Sequence, residues 1–219
     1  MRTDELIVAL ARSAHPVRPL PRPSLRLVRW TAVIVPLTAV AAVAIGLRAD
    51  VSSAITEPAF IAVAAATIAT ALISAASALV LSVPGAERSI VQRALPLLMG
   101  GLWALALGVL LARGGDPLQR LLAWPLHWLC VIEITALGIV PAVALFTMLR
   151  RAAPLRRSWS GALATLASVA IGAAATQFIC PLDDPAHQLV GHVFPVAVLS
   201  MLGALAGSRY LNWLTRDAV

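Results

Sequence analysis

The sequence predicts an all-α fold, a polytopic membrane bundle of six transmembrane helices, and three observations predict it. The chain of 219 residues is 60% hydrophobic and only 12% charged, with a mean hydropathy of +0.88, against about 45–50% apolar and about 25% charged in a soluble domain. Uncharged stretches of about 18 residues or more recur along it, a length that suits a lipid-facing helix and leaves no polar face for water. Charged residues collect at the ends of those stretches. A soluble enzyme is thereby disfavoured.

The formal charge of +7 and pI near 11.3 would suggest nucleic acid as a partner of a soluble domain. Position argues against direct nucleic-acid contact. All 17 basic residues are Arg and sit mostly at helix ends, and the six Trp do the same. That is the pattern of interfacial anchors in a bilayer, not of base-stacking platforms.

The spans follow in order. Trp30 to Leu47 lies between Arg29 and Arg48 and reaches roughly 27 Å at about 1.5 Å per residue. The second runs from Ala59 to Val83 before Pro84 and Gly85. The third lies between Arg93 and Arg113, and the fourth extends from Trp124 to Leu149 before Arg150 and Arg151. The fifth covers Ser158 to Ile179 and ends at Cys180 and Pro181, and the sixth covers Gln188 to Ser208. Pro36, Pro96, Pro141 and Pro195 are expected to kink their helices, because each removes a backbone donor. Small residues four apart, in Ala66, Thr70, Ser74 and Ala78, in Ala164, Ser168, Gly172 and Thr176, and in Gly203 and Gly207, predict close helix seams.

Six spans put both termini on one side. Fourteen Arg fall on that side and three, Arg48, Arg113 and Arg120, on the other. By the positive-inside rule both termini are cytoplasmic. The domains are then a cytoplasmic arm (1–29), the bundle (30–211) and a short tail (212–219). The first apolar run has no evident processing site, so the arm is expected to stay attached.

The arm is not generic. Thr3 is read as an N-cap, Asp4 and Glu5 suit the positive end of a helix dipole, and Leu6, Ile7 and Leu10 share an apolar edge. Pro16, Pro19, Pro21 and Pro23 then impose an extended spacer. A helix of about 11 residues is marginal in water, so its edge calls for a surface. The lipid headgroups and a groove on a cytoplasmic protein are the two available.

The other unusual region holds the only two Cys. Cys130 shares a helix face with His127 and Glu133, and Cys180 opens a loop that carries Asp183, Asp184 and His187, with His192 shortly after. Both thiols fall on the outer, oxidising side. Glu133 is the one acid within a span, a functional candidate by default. Thiols, imidazoles and carboxylates together suit a soft metal, although the spacing matches no fixed zinc pattern. A disulfide, metal bridging and two small apolar core residues are the open alternatives. Ser160-Gly161 has no His partner nearby, and no phosphate-gripping Gly loop, two-metal carboxylate array or Cys-x-x-Cys pair is present, so no enzyme and no cofactor are expected.

The segment Thr3-Asp4-Glu5-Leu6-Ile7 with its Pro/Arg arm, the six spans, a Cys at the start of the fourth, the loop Ala153-Pro154-Leu155-Arg156, and Cys180-Pro-x-Asp183-x-Pro-Ala-His187 resemble the NrsF-type anti-sigma factors, negative regulators of sigma factor F. The resemblance covers essentially the whole chain and is sharpest in the Cys-Pro-x-Asp loop. It implies an inner-membrane regulator that sequesters an extracytoplasmic-function sigma factor and releases it under stress. Thr3, Asp4, Glu5, Leu6, Ile7 and Leu10 would contact the sigma factor. Cys130 and Cys180 would be the redox or stress-sensing pair, with Asp183, His187, His192 and Glu133 accessory to it. Gly191 stands where the family suggests a bulky aromatic, and Arg157 where it suggests Pro. The rival classes are a small transporter or metal-handling protein using the same outer ligands, and a membrane oxidoreductase.

Overall fold

In a chain this apolar, the helical hydrogen-bond ladder is the internal outlet for backbone polar groups, and most of the described residues take it. The computed structural model describes residues 2–13, 19–123, 128–152 and 154–212. In chain order its α-helices are α1 (Thr3–Ser13), α2 (Pro23–Ile45), α3 (Val51–Ala54), α4 (Pro58–Leu81), α5 (Ile90–Arg113), α6 (Pro117–Ala123), α7 (Trp128–Ala152), α8 (Arg157–Thr176), α9 (Pro185–Gln188) and α10 (Phe194–Tyr210). A π turn, Leu189–Val193, joins α9 to α10. Among the described residues, six helices are long and apolar enough to cross a bilayer: α2, α4, α5, α7, α8 and the run Pro185–Tyr210. The chain is a multi-pass membrane protein.

Helix α8 is the post around which the others stand. Thirteen of its twenty residues are buried, and α4, α7 and α10 all pack on it. Its sequence permits this because Gly and Ala dominate it, so neighbouring backbones come close. A Cβ on Gly161 would strike the backbone of Gly203 and Gly207, and one on Gly172 would strike the Ile134 carbonyl. The expected seams are therefore real contacts. Ala164, Ser168, Gly172 and Thr176 are all buried, as are Thr70, Ser74 and Ala78 on α4.

Several boundaries differ from the sequence reading. The first span starts at Pro23, not Trp30. Pro suits the first helical position, and Arg26 is buried instead of solvated: it donates to Met148 O (2.6 Å) and Ser82 Oγ (3.2 Å). One turn on, Trp30 Nε1 donates to Pro141 O at 3.2 Å. A buried charge with two acceptors extends the helix where hydropathy alone would stop it. The fifth span ends at Thr176, whose carbonyl accepts from the Cys180 N–H at 2.7 Å. The sixth begins at Pro185, capped by Asp184, whose side chain accepts from Ala186 N. Pro36, Pro96 and Pro141 lie inside continuous helices, and Pro195 follows the π turn. Trp124, His127, the Pro16 to Arg18 part of the spacer and residues 213–219 lie outside the described residues.

Candidate functional site

Four elements bring four donor side chains to one buried point. Cys130 lies in the first turn of α7, Cys180 in the loop after α8, His187 in α9 and His192 in the π turn. Their ligand atoms all lie within 4.8 Å of one another. The Cys130 thiol is 3.8 Å from Cys180 Sγ and 3.6 Å from His187 Nε2, and Cys180 Sγ is 3.4 Å from His187 Nε2. The His187 and His192 rings meet edge to face, 5.4 Å between centroids. All four side chains are buried, the two imidazoles almost completely.

Local backbone choices make this convergence possible. In an α-helix, residues five apart point about 140° away from each other. The π turn widens the helix between the two histidines so that both face the thiols. Gly191 has a packing reason: a Cβ there would stand 3.2 Å from the His187 ring, so any larger residue at this position presses on the imidazole.

The loop is pinned from outside by ion pairs. Arg48, whose side chain is only 2% exposed, chelates Asp183 through Nη1 (2.7 Å) and Nη2 (2.5 Å), and Asp50 through Nε (2.7 Å) and Nη2 (2.9 Å). It also donates to the Cys180 carbonyl at 3.3 Å, and its own N–H donates to Phe178 O. Asp50 foremost, then Asp183, raises the guanidinium pKa above its ordinary value. Arg120 pairs with Asp184 at 2.5 Å. Burial pushes the Asp184 carboxyl upward, but the Arg120 bond and the backbone N–H donors of Ala186 and His187 outweigh it, so its pKa lies below the usual carboxylate range. The Cys180 thiol is also lowered, first by the hydrogen bond from Cys130, then by His187, against the opposing effect of burial.

The residues expected here from sequence therefore divide. Cys130, Cys180, His187 and His192 come together. Asp183 serves Arg48, and Glu133, half-buried one turn along α7, stands outside the quartet. Arg48 and Arg120 as loop anchors were missed. Asp50 two residues from Arg48 was a visible signal for one of them; Arg120 and Asp184 are 64 residues apart and gave none.

The N-terminal helix is a separate place. Thr3 begins α1 but is not its cap: Arg2 O accepts from Leu6 N, and Glu5 Oε2 accepts from Arg2 N at 3.1 Å. Asp4 pairs loosely with Arg2 at 4.0 Å. Leu6, Ile7 and Leu10 are 41%, 58% and 60% exposed.

With this geometry in view, the comparisons are specific. The family model described as NrsF, negative regulator of sigma F, matches residues 10–213, so its match begins within α1. No match was found among curated proteins or solved structures. The family is one of transcriptional regulators and not of enzymes, and its partner is sigma factor F. From α1 through all six spans and the thiol loop, the chain belongs to the NrsF family of negative regulators of sigma F.

Proposed function

We propose that this protein is an inner-membrane anti-sigma factor that holds an extracytoplasmic-function sigma factor through Thr3–Leu10 and releases it when oxidants or heavy metals act on Cys130 and Cys180. The observation that carries the sensing half is the meeting of the only two thiols in the chain, 3.8 Å apart and buried together. A two-electron oxidant would join the sulfurs, taking two electrons and releasing two protons, and the Sγ atoms would close to about 2.05 Å. A thiophilic metal would instead bridge them, releasing the same protons. Either event changes how α7 sits against the loop.

Helix α7 supports a link to the arm. Cys130 and Met148 are on the same helix, about 27 Å apart along its axis, and Met148 O holds Arg26 near the start of α2. Trp30 holds the same helix at Pro141. The capture half rests on α1, whose apolar edge is exposed and whose acidic first turn suits a cationic groove. The positive-inside balance supports placing both termini in the cytoplasm, with the thiols outside. The test is replacement of Cys130 or Cys180 by Ser followed by oxidant or cadmium challenge. Target-gene induction changes under this reading; unchanged induction removes the sensor.

A further inference from the structure

We propose that Cys130, Cys180, His187 and His192 form a closed, four-coordinate site for a divalent cation of the zinc class. The inference deepens the sensing reading and rests on the same two thiols, adding two histidines as ligands and a resident ion as what the sensor holds at rest; with that ion in place an oxidant expels it, and a thiophilic metal displaces it, where free thiols would lose two protons.

Shape is the first argument. A tetrahedral ion with metal–sulfur bonds of about 2.3 Å and metal–nitrogen bonds of about 2.0–2.1 Å needs donor edges of about 3.8 Å between sulfurs and about 3.6 Å between sulfur and nitrogen. The chain supplies 3.8 Å for the sulfur pair and 3.6 and 3.4 Å for two sulfur–nitrogen edges. His192, fully buried, completes the set within 4.8 Å. Hydrogen bonding is the second. Neither ring nitrogen of His192 has a hydrogen-bond partner among the described residues, and a buried imidazole left so is costly unless something else takes a lone pair.

Charge and access supply the third. Two thiolates and two neutral imidazoles carry −2, which a divalent cation cancels, and a neutral assembly is what a buried site tolerates. A monovalent ion would leave −1. Arg48 is shared by Asp50 and Asp183, and Arg120 pairs with Asp184, so the surrounding carboxylates, with half-buried Glu133, leave a surplus of negative charge that also favours a cation. Two sulfurs with two imidazole nitrogens in a tetrahedron favour zinc over the oxygen-seeking ions. Four protein ligands leave no position for substrate, which marks a structural or sensing ion. On binding, each thiol gives up its proton and its sulfur lone pair forms the bond to the ion. A resident ion would also explain the π turn and Gly191, both of which aim an imidazole at the thiols at the cost of regular helix.

The test uses the full chain purified in detergent and loaded with cobalt(II) alone or zinc(II) alone. We expect one equivalent bound, tetrahedral cobalt bands with thiolate charge transfer, and loss of both on adding zinc. His187→Gln and His192→Gln each lower zinc affinity at least about tenfold, with monodisperse elution and helical circular dichroism retained. X-ray absorption of the zinc-loaded wild type gives two sulfur and two nitrogen neighbours, a reading that needs no variant. A sulfur-only shell, or histidine variants that bind as the wild type does, overturns the proposal. Failure of the sensing reading looks different: zinc bound as described while Cys130→Ser leaves induction unchanged keeps the site and removes the sensor.

Discussion

The two unusual regions of this molecule are built on opposite principles. At the thiol end, a buried donor cluster is enclosed by ion pairs: Arg48 alone meets two carboxylates and backbone carbonyls. At the other end α1 is exposed along its whole described length, with apolar side chains facing outward. A region that must keep donor atoms at fixed separations needs a rigid shell, while a segment that folds against a partner needs little structure before it is caught. Under the proposed function, the contrast places capture and sensing apart, with α7 and the Arg26 contact between them.

The largest effect is expected at the arm. Deleting residues 2–12 should abolish sigma-factor capture in a pull-down and raise target transcription to its induced level, leaving the melting temperature of the bundle unchanged. Unimpaired capture would move the contact to the Arg150–Arg157 loop. Next is the helix seam beneath the site. Gly161→Leu should force α8 from α10, because its Cβ already meets the Gly203 and Gly207 backbone, costing about 1–3 kcal/mol or more and read as reduced thermal stability in detergent.

A smaller loss should follow Arg48→Met. It strands two carboxylates that are each about half exposed (52% and 51%), so water recovers part of the loss and about 1–2 kcal/mol is expected. Thermal unfolding measures it, and Arg48→Lys should recover only a fraction because it cannot fork to both acids. The smallest effect is the pH response of the Arg120–Asp184 pair. The Asp184 pKa is lower in the folded chain, so its contribution is complete above the unfolded value of about 3.9 and fades as pH falls through the folded value. Asp184→Asn should flatten that part of the stability profile.

How much of this was legible in the sequence follows from what each feature depends on. The six spans were readable because lipid imposes a length and a composition on every one of them. The seams were readable as spacings, since small residues four apart share a face. The extra turns of α2 from Pro23 were not, because Arg26 is solvated or buried according to partners 56 and 122 residues away. The donor quartet was half legible. The cysteines and histidines were evident as candidate ligands near one end of the bundle, but their spacing fits no fixed pattern, because a π turn changes which residues share a face. Asp183 was legible as a residue accessory to the thiols, but its pairing with Arg48, 135 residues earlier, was not. Glu133 looked like part of the same face as Cys130 and stands outside the quartet.

The central claim is that the arm captures a sigma factor and that the thiol end controls its hold. Affinity purification of the intact chain in detergent, with and without prior cadmium exposure of the cells, tests it most directly. The account predicts that a sigma factor co-purifies from unexposed cells, is lost after exposure, and stays bound after exposure when Cys130 is Ser. A sigma factor bound equally in all three preparations would contradict it.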